Sequence, residues 1–243
     1  MTRNVVVTGG GAGIGRAVAS VFAAGGDAVV ITGRRREPLD ATAAEIGPAV
    51  RALVCDASEP AQVAGFRAEL PETVDVLVNM AGGNVDFDGP LGDDPSLEDV
   101  AAAWRANLDV NLLSTVLTTT ALLPAMPSGS SIVNVSSIGA EYASSSYGAA
   151  KAAVAAWTAG LSAQVGPRGI TANTIAPGYI ADTDFFRGQL GDDRRAQLID
   201  ATHDKRAGQP DDVAATAHFL ASHGARHITG QTLHVNGGAH TTR

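Results

Sequence analysis

A doubly wound α/β fold, with a seven-stranded parallel sheet covered by helices on both faces, is predicted by three features of the sequence. Short runs rich in β-branched residues recur along the chain, and alanine-rich segments of helix-like composition fill the intervals. Each run is apolar at successive rather than alternate positions, the pattern of strands buried on both faces and joined by right-handed βαβ crossovers. The 243 residues suit one large domain that would bury roughly 70–75% of its unfolded surface, and no linker or internal repeat divides them.

The candidate strands are residues 5–8, 28–32, 50–55, 74–79, 131–135, 170–175 and 231–235. Helix starts between them carry their own signals. Ser96 followed three residues later by Asp99 is a capping box, and Pro210 with Asp211 and Asp212 is a first-turn pattern. Residues 143–156 read as helix despite their serines and alanines. Segments 82–95 and 178–210, rich in Gly, Pro and Asp, read as inserted loops. The second is too long for a simple connection, and a substrate lid carrying short helices near 184–189 and 192–202 is expected there.

Apolar residues make up 45% and charged residues 17% of the chain, which excludes a disordered or collagen-like protein. Seventeen basic against 25 acidic residues leave a net charge of −8, with no global attraction for nucleic acid or anionic lipid. The single cysteine, Cys55, excludes an internal disulfide and reads as a small buried hydrophobe. The chargeless stretch 110–140 is broken by Asn111, Thr118 to Thr120, Pro124 and Pro127, so no membrane span is expected from it. The N-terminal residues lack a signal-peptide pattern, and a cytoplasmic location is expected.

The first strand runs into Thr8-Gly9-Gly10-Gly11-Ala12-Gly13-Ile14-Gly15 and then a helical segment. Strand, glycine turn and helix in that order let backbone approach a pyrophosphate and offer it a helix N-terminus. A P-loop is excluded, because Arg16 and Ala17 stand where Lys and Ser or Thr are needed.

These residues resemble the T-G-x-x-x-G-I-G motif of the short-chain dehydrogenase/reductase family, and the chain resembles that family's 3-oxoacyl-thioester reductase-like members. The resemblance implies a single-domain Rossmann fold. It also implies a dinucleotide held by Thr8, Gly9, Gly13, Ile14 and Gly15, by Asp56 after the third strand, and by Asn79, Ala81 and Gly82 in an N-x-A-G pattern. Taken alone, Asp56 would be a helix cap and Asn79 a turn residue. Gly33, eighteen positions after Gly15, stands where an NAD-binding acid would be expected, and Arg34, Arg35 and Arg36 follow. Arg34 and Arg35 are the candidates for a 2′-phosphate contact, favouring NADP over NAD by roughly 10- to 100-fold; the bland alternative is a solvated basic helix start.

Tyr147 and Lys151 share a helix face at a spacing of four. Fifteen of the 17 basic residues are arginine, so a lysine here suggests a need for a compact ammonium. A cation about 4 Å away at an effective dielectric of ~20 contributes on the order of 4 kcal/mol, enough to bring a phenol toward working pH. The pair matches the family's Y-x-x-x-K motif. By the same resemblance Asn111 would hold a water that links the lysine to solvent, and Ser137 would orient the substrate carbonyl. Ser137 lies ten residues before Tyr147, about three fewer than is common in the family. Either that loop takes a tighter path or Ser136 replaces Ser137. Further on, Pro177, Gly178, Ile180 and Thr183 resemble the family's stretch for the nicotinamide end, with Thr183 one residue late and Asp182 at the strict position.

The implied activity is hydride transfer between NADP(H) and a ketone of 3-oxoacyl or related type, with Tyr147 as the proton donor. The alternatives are a dehydrogenase of secondary alcohols, sugars or steroids, and a non-catalytic dinucleotide sensor. The net charge disfavours an acidic carrier protein unless Arg187, Arg194 and Arg195 form a basic patch. Helical faces around 110–126 and 152–167 are charge-poor, and the family resemblance implies that they pair between subunits of a homodimer or homotetramer; the bland alternative is a fully buried central helix pair. All six histidines, His203, His218, His223, His227, His234 and His240, follow residue 200 without an H-E-x-x-H spacing, so no metal site is expected, and no G-x-S-x-G elbow suggests a hydrolase.

Overall fold

The computed structural model describes residues 2–89, 91–92 and 94–242. Its strands are β1 (Asn4–Thr8), β2 (Ala28–Gly33), β3 (Val50–Val54), β4 (Val76–Asn79), β5 (Ser131–Val135), β6 (Thr171–Pro177) and β7 (Thr232–Val235). They form one parallel sheet in the order β3-β2-β1-β4-β5-β6-β7. The helices are α1 (Gly13–Ala24), α2 (Arg36–Ile46), α3 (Pro60–Arg67), α4 (Leu97–Leu108), α5 (Ser114–Leu122), α6 (Gly139–Tyr142), α7 (Ser146–Val165), α8 (Asp192–Asp200) and α9 (Pro210–Leu220). The single domain is the Rossmann-like fold expected.

Alternation along the strands feeds two cores. Val5 and Val7 of β1 pack with Phe22, Leu39 and Leu220 on one face, while Val6 joins Leu77, Ile132, Phe66 and Leu122 on the other. Cover on both faces holds for β1, β4, β5 and β6 and thins at the edges, where Val54 of β3 is 40% exposed and all of β7 is half-buried. Strand order reverses between β1 and β4, so the crevice beyond their carboxyl ends is where such a sheet takes a ligand.

The capping box at Ser96 and Asp99 forms in both directions, and Asp212 accepts the Gln209 N–H at 2.8 Å to start α9. Helix α7 begins three residues later than expected. Ala143 turns left-handed (φ 44°) to end α6, and Ser145 then caps α7 by accepting the Gly148 N–H at 3.1 Å. Segment 178–210 contains a 3-10 turn at Asp184–Phe186 and α8, close to expectation. In segment 82–95 a 3-10 turn occupies Val85–Asp88; Pro90 and Asp93 lie outside the described residues.

A feature absent from the sequence reading is a π-turn at Asp109–Leu113, between α4 and α5. The continuous helix Leu97–Ala125 is long and apolar enough to cross a membrane, with a mean hydropathy of 1.3. Its buried residues are nonetheless mainly polar, among them Asn107, Asn111, Ser114, Thr115 and Thr119. They face the sheet and the crevice.

Phe22, fully buried between α1 and the sheet, offers a test of this packing. Phe22→Ala should cost about 3–5 kcal/mol, read as a lower urea midpoint at unchanged slope.

Candidate active site

Contacts too close for any side chain shape the glycine turn. A Cβ on Gly15 would lie 2.1 Å from the Gly9 carbonyl oxygen, and one on Gly9, where φ is +69°, would lie 2.9 Å from the Ala81 nitrogen. Gly13 is also left-handed (φ +50°). Gly10, passed over in the sequence, would drive a Cβ into Ile31 at 2.6 Å. Ile14 packs on the core beneath. Helix α1 then starts at Ala12 with no side-chain cap and no acid in its first turn, so its N–H groups face the crevice free.

The crevice is a cleft of about 200 Å³ whose lining includes Gly9, Arg34, Arg35, Asp56, Ala81 and Gly82. Arg36 pairs with Asp40 at 3.7 Å; among the described residues neither Arg34 nor Arg35 has an acidic partner. Two unpaired guanidinium groups, a cradle that a Cβ would fill and an uncapped helix start together fit an anionic dinucleotide. Asp56 accepts the N–H and hydroxyl of Ser58 at 3.0 and 2.7 Å. It therefore fixes a turn rather than capping α3, whose N-cap is Glu59.

Two residues assigned to the cofactor by resemblance lie behind the wall instead of on it. Thr8 is buried, and its hydroxyl accepts the N–H groups of Met80 and Ala81, both at 3.0 Å. Asn79 is buried too, its amide donating to Thr119 at 2.9 Å and Asn134 at 2.8 Å. These hydrogen bonds join strand ends and position the crevice, while Asn79 Oδ1 is left without a partner.

Beyond Gly82 the floor changes character. A Cβ on Gly82 would lie 2.5 Å from Asn111 Oδ1 and 3.3 Å from Lys151 Nζ, so the bare backbone lets both side chains converge. Asn111, on the π-turn, clamps Gly83 by accepting its N–H at 3.0 Å and donating to its carbonyl at 2.9 Å. Lys151 Nζ donates to the Val135 carbonyl at 2.9 Å and stands 5.9 Å from the centre of the Tyr147 ring. Ser136 is buried and donates to the Lys151 carbonyl at 2.7 Å, while Ser137 accepts the Gly139 N–H at 3.0 Å with its hydroxyl on the Tyr147 side of the loop. The short loop thus takes the tighter path through α6, and Ser137 is the serine beside the tyrosine.

The electrostatics reverse one expectation. Burial pushes the Tyr147 phenol up to about 12, and the Ser137 hydroxyl, acting the other way, does not offset it. Burial also brings Lys151 down to about 8. Coulombic attraction was expected to lower the phenol; with the ammonium engaged on Val135, desolvation wins.

On the far side, Pro177 ends β6 and its carbonyl accepts the Ile138 N–H at 2.8 Å. A Cβ on Gly178 would meet Asn236 at 2.7 Å. Ile180, nearly buried, bridges to Gly208 and closes the base of segment 178–210. Asp182 turns left-handed (φ 55°), which absorbs the extra residue. The Thr183 methyl then lies 3.4 Å from the Cβ position of Gly13, over the glycine turn.

An aromatic group drawn from two loops covers Tyr147. Phe185 lies 5.5 Å from the Tyr147 ring, 5.0 Å from Phe186 and 5.9 Å from Phe87 of the other loop. Gln189 donates to the Phe87 carbonyl at 2.9 Å, and Arg187 pairs with Asp88. Beneath, Asn107 donates to Asp86 and Ser146, both at 2.8 Å, which ties that loop to the start of α7.

Lys151 carries a prediction about stability. Between pH 8 and 10.5 the unfolded chain holds a proton that the native chain has lost, so stability rises with pH across that window. Below it the buried ammonium costs on the order of 3 kcal/mol. Lys151→Met should unfold at higher denaturant than the parent at pH 7 and lose that advantage by pH 10.5; equal shifts at both pH values would refute the account.

Comparison with known proteins agrees with this geometry. Residues 9–240 match the family model described as enoyl-(acyl carrier protein) reductase. The short-chain reductase protein NovJ of Streptomyces niveus is 36% identical over 249 residues, covering 96% of this chain and 92% of its own. The 3-oxoacyl-[acyl-carrier-protein] reductase FabG of Escherichia coli is 35% identical over 242 residues, covering 96% of this chain and 95% of its own. A short chain dehydrogenase from Burkholderia cenocepacia, solved in complex with NADP, superposes with a TM-score of 0.85 at 33% identity, covering 98% of this chain and 97% of its own. With a matching family model along nearly its whole length, relatives above 30% identity and the strand order of the fold, the chain belongs to the short-chain dehydrogenase/reductase family of oxidoreductases.

Proposed function

We propose that this oxidoreductase reduces a ketone of 3-oxoacyl or related apolar type with NADPH. The observation that carries the reading is the convergence of buried Tyr147, Lys151 and Asn111 with half-buried Ser137 at the inner end of a cleft whose outer end carries two unpaired arginines. NADPH, when bound, supplies the hydride and, after transfer, a positively charged ring. Arg34 and Arg35 bind the 2′-phosphate, the glycine turn and the start of α1 bind the pyrophosphate, and Thr183 holds the nicotinamide end. Ser137 hydrogen-bonds the substrate carbonyl oxygen, Tyr147 gives that oxygen its proton, and Lys151 holds the site's positive charge.

Segment 178–210 acts as a lid, and Phe87, Phe185 and Phe186 form an apolar wall that excludes water from Tyr147. The basic patch that a carrier protein would need is largely consumed. Arg187 pairs with Asp88 and Arg195 with Asp192 at 3.3 Å, leaving Arg194 on Gln197. That favours a free, compact ketone over a carrier-bound chain. The charge-poor helical surface around 110–126 and 152–167, on which Leu113 is 38% exposed, is the face through which a cytoplasmic homodimer or homotetramer assembles.

The test follows nicotinamide absorbance with NADPH or NADH against 3-oxoacyl thioesters, aryl and alicyclic ketones and quinones. Tyr147→Phe should lower kcat by about 10²–10⁴ with NADPH affinity retained; retained turnover would sink the proton-donor role. Replacing Arg34 and Arg35 together with alanine should reduce the preference for NADPH by roughly 10- to 100-fold through KM. A preference for NADH in the parent would overturn the cofactor assignment.

A further inference from the structure

The last strand and the shortened catalytic loop meet at a cluster that hydride transfer does not use. His234 lies on β7, His240 just beyond it, and Glu141 on α6 between Ser137 and Tyr147. The turn that joins the histidines is built for the purpose of doubling back. Gly237 and Gly238 are both left-handed (φ 61° and 85°), Asn236 Nδ2 donates to the His240 carbonyl at 3.0 Å, and Asn236 Oδ1 accepts the Gly238 N–H at 2.9 Å. His240 is thereby returned beside His234, ring centres 5.2 Å apart.

His234 Nε2 stands 3.6 Å from Glu141 Oε1, and His240 Nε2 stands 3.4 Å from Glu141 Oε2. The three donor atoms all lie within 4.8 Å of one another. A hydrogen bond between nitrogen and oxygen closes to about 2.9 Å, so neither contact is a good one. Bonds of about 2.0–2.2 Å to a tetrahedral ion set its ligands roughly 3.3–3.6 Å apart, which both histidine–carboxylate distances match, and a small closure of the three side chains would complete the set. The far nitrogen of His234, Nδ1, is buried with no partner, so the fold orients this ring only through its Nε2 edge.

We propose that Glu141, His234 and His240 form a binding site for a divalent transition metal of the zinc class, outside the hydride-transfer machinery. Two imidazoles and one carboxylate suit such an ion, whereas magnesium and calcium call for oxygen alone. The Glu141 and His240 side chains are 31% and 27% exposed, which gives the ion an entry path and leaves a remaining position to water. A bound ion cross-links β7, the C-terminal turn and α6, and so stiffens the short loop that leads to Tyr147. The spacing of the ligands hid this in the sequence, because the carboxylate comes from 93 residues before the first histidine.

The experiment uses the full chain, stripped with chelator and titrated with Zn²⁺ in competition with a chromophoric chelator, with melting temperature read in parallel. One tightly held Zn²⁺ per chain and a raised melting temperature are expected. Glu141→Gln and His240→Ala should each weaken that binding by at least ~10-fold, and His223→Ala, distant from the cluster, should leave it unchanged. His240 follows the last strand, so His240→Ala keeps the test decisive if Glu141→Gln fails to fold. Absence of Zn²⁺ uptake by the parent, or uptake equal in parent and both variants, overturns the proposal; the second result assigns binding to the other histidines.

Discussion

The approach of α1 to the end of β1 is the constraint on which the crevice depends. The Gly9 carbonyl and the Gly15 α carbon sit so close that a methyl group at Gly15 would overlap the oxygen at 2.1 Å. That contact aims the start of α1 at the opening between β1 and β4, where the change of strand order leaves the sheet uncovered. Thr8 locks the other side of the opening by taking the Met80 and Ala81 N–H groups on one hydroxyl. The ends of β1 and β4 therefore move as a unit, and the glycine turn cannot relax without disturbing the backbone of Ala81 and Gly82.

A second layer of order is polar and buried. Asn79 bonds Asn134, Asn134 donates to Thr158 at 2.8 Å, and Asn79 also reaches Thr119, so β4, β5, α5 and α7 are joined through side chains. An apolar core of the same shape would tolerate sliding of α7 along the sheet; these directional bonds do not. Their cost shows in unpaired atoms, including Asn79 Oδ1, Thr118 Oγ1 and Thr174 Oγ1. The benefit lies about two to three turns away along the same helix, where α7 holds Tyr147 and Lys151 at fixed height above the crevice.

What the sequence disclosed divides along the same physical line. Strands were legible because burial on both faces leaves an uninterrupted apolar run, as in Val5-Val6-Val7, and the helix starts at Ser96 and Pro210 because capping is local chemistry. The glycine turn and the Tyr147–Lys151 spacing were legible for the same reason. The contacts that carry the rest are not local. The π-turn at Asp109–Leu113 has no compositional mark, and its effect, Asn111 turned onto Gly83, appears only when segment 82–95 folds over it. Thr8 and Asn79 could not be told from ligand-contacting residues in one dimension, since a polar side chain at a strand end serves a wall or a ligand equally well. Phe87 and Phe185 come from segments nearly a hundred residues apart, and Glu141, His234 and His240 likewise converge only through β7.

The inverted phenol and ammonium values bear on direction under the proposed chemistry. A phenol pushed up to about 12 by burial is protonated at neutral pH and stands ready to give a proton, whereas alcohol oxidation calls for the phenolate. Lys151, near 8, keeps most of its charge at pH 7 and loses it well below the pH at which the phenol would ionise. Release of Nζ from the Val135 carbonyl toward a bound ribose would bring that charge nearer the phenol and lower it. Before the cofactor enters, burial therefore holds the phenol as the proton donor that the proposed ketone reduction calls for.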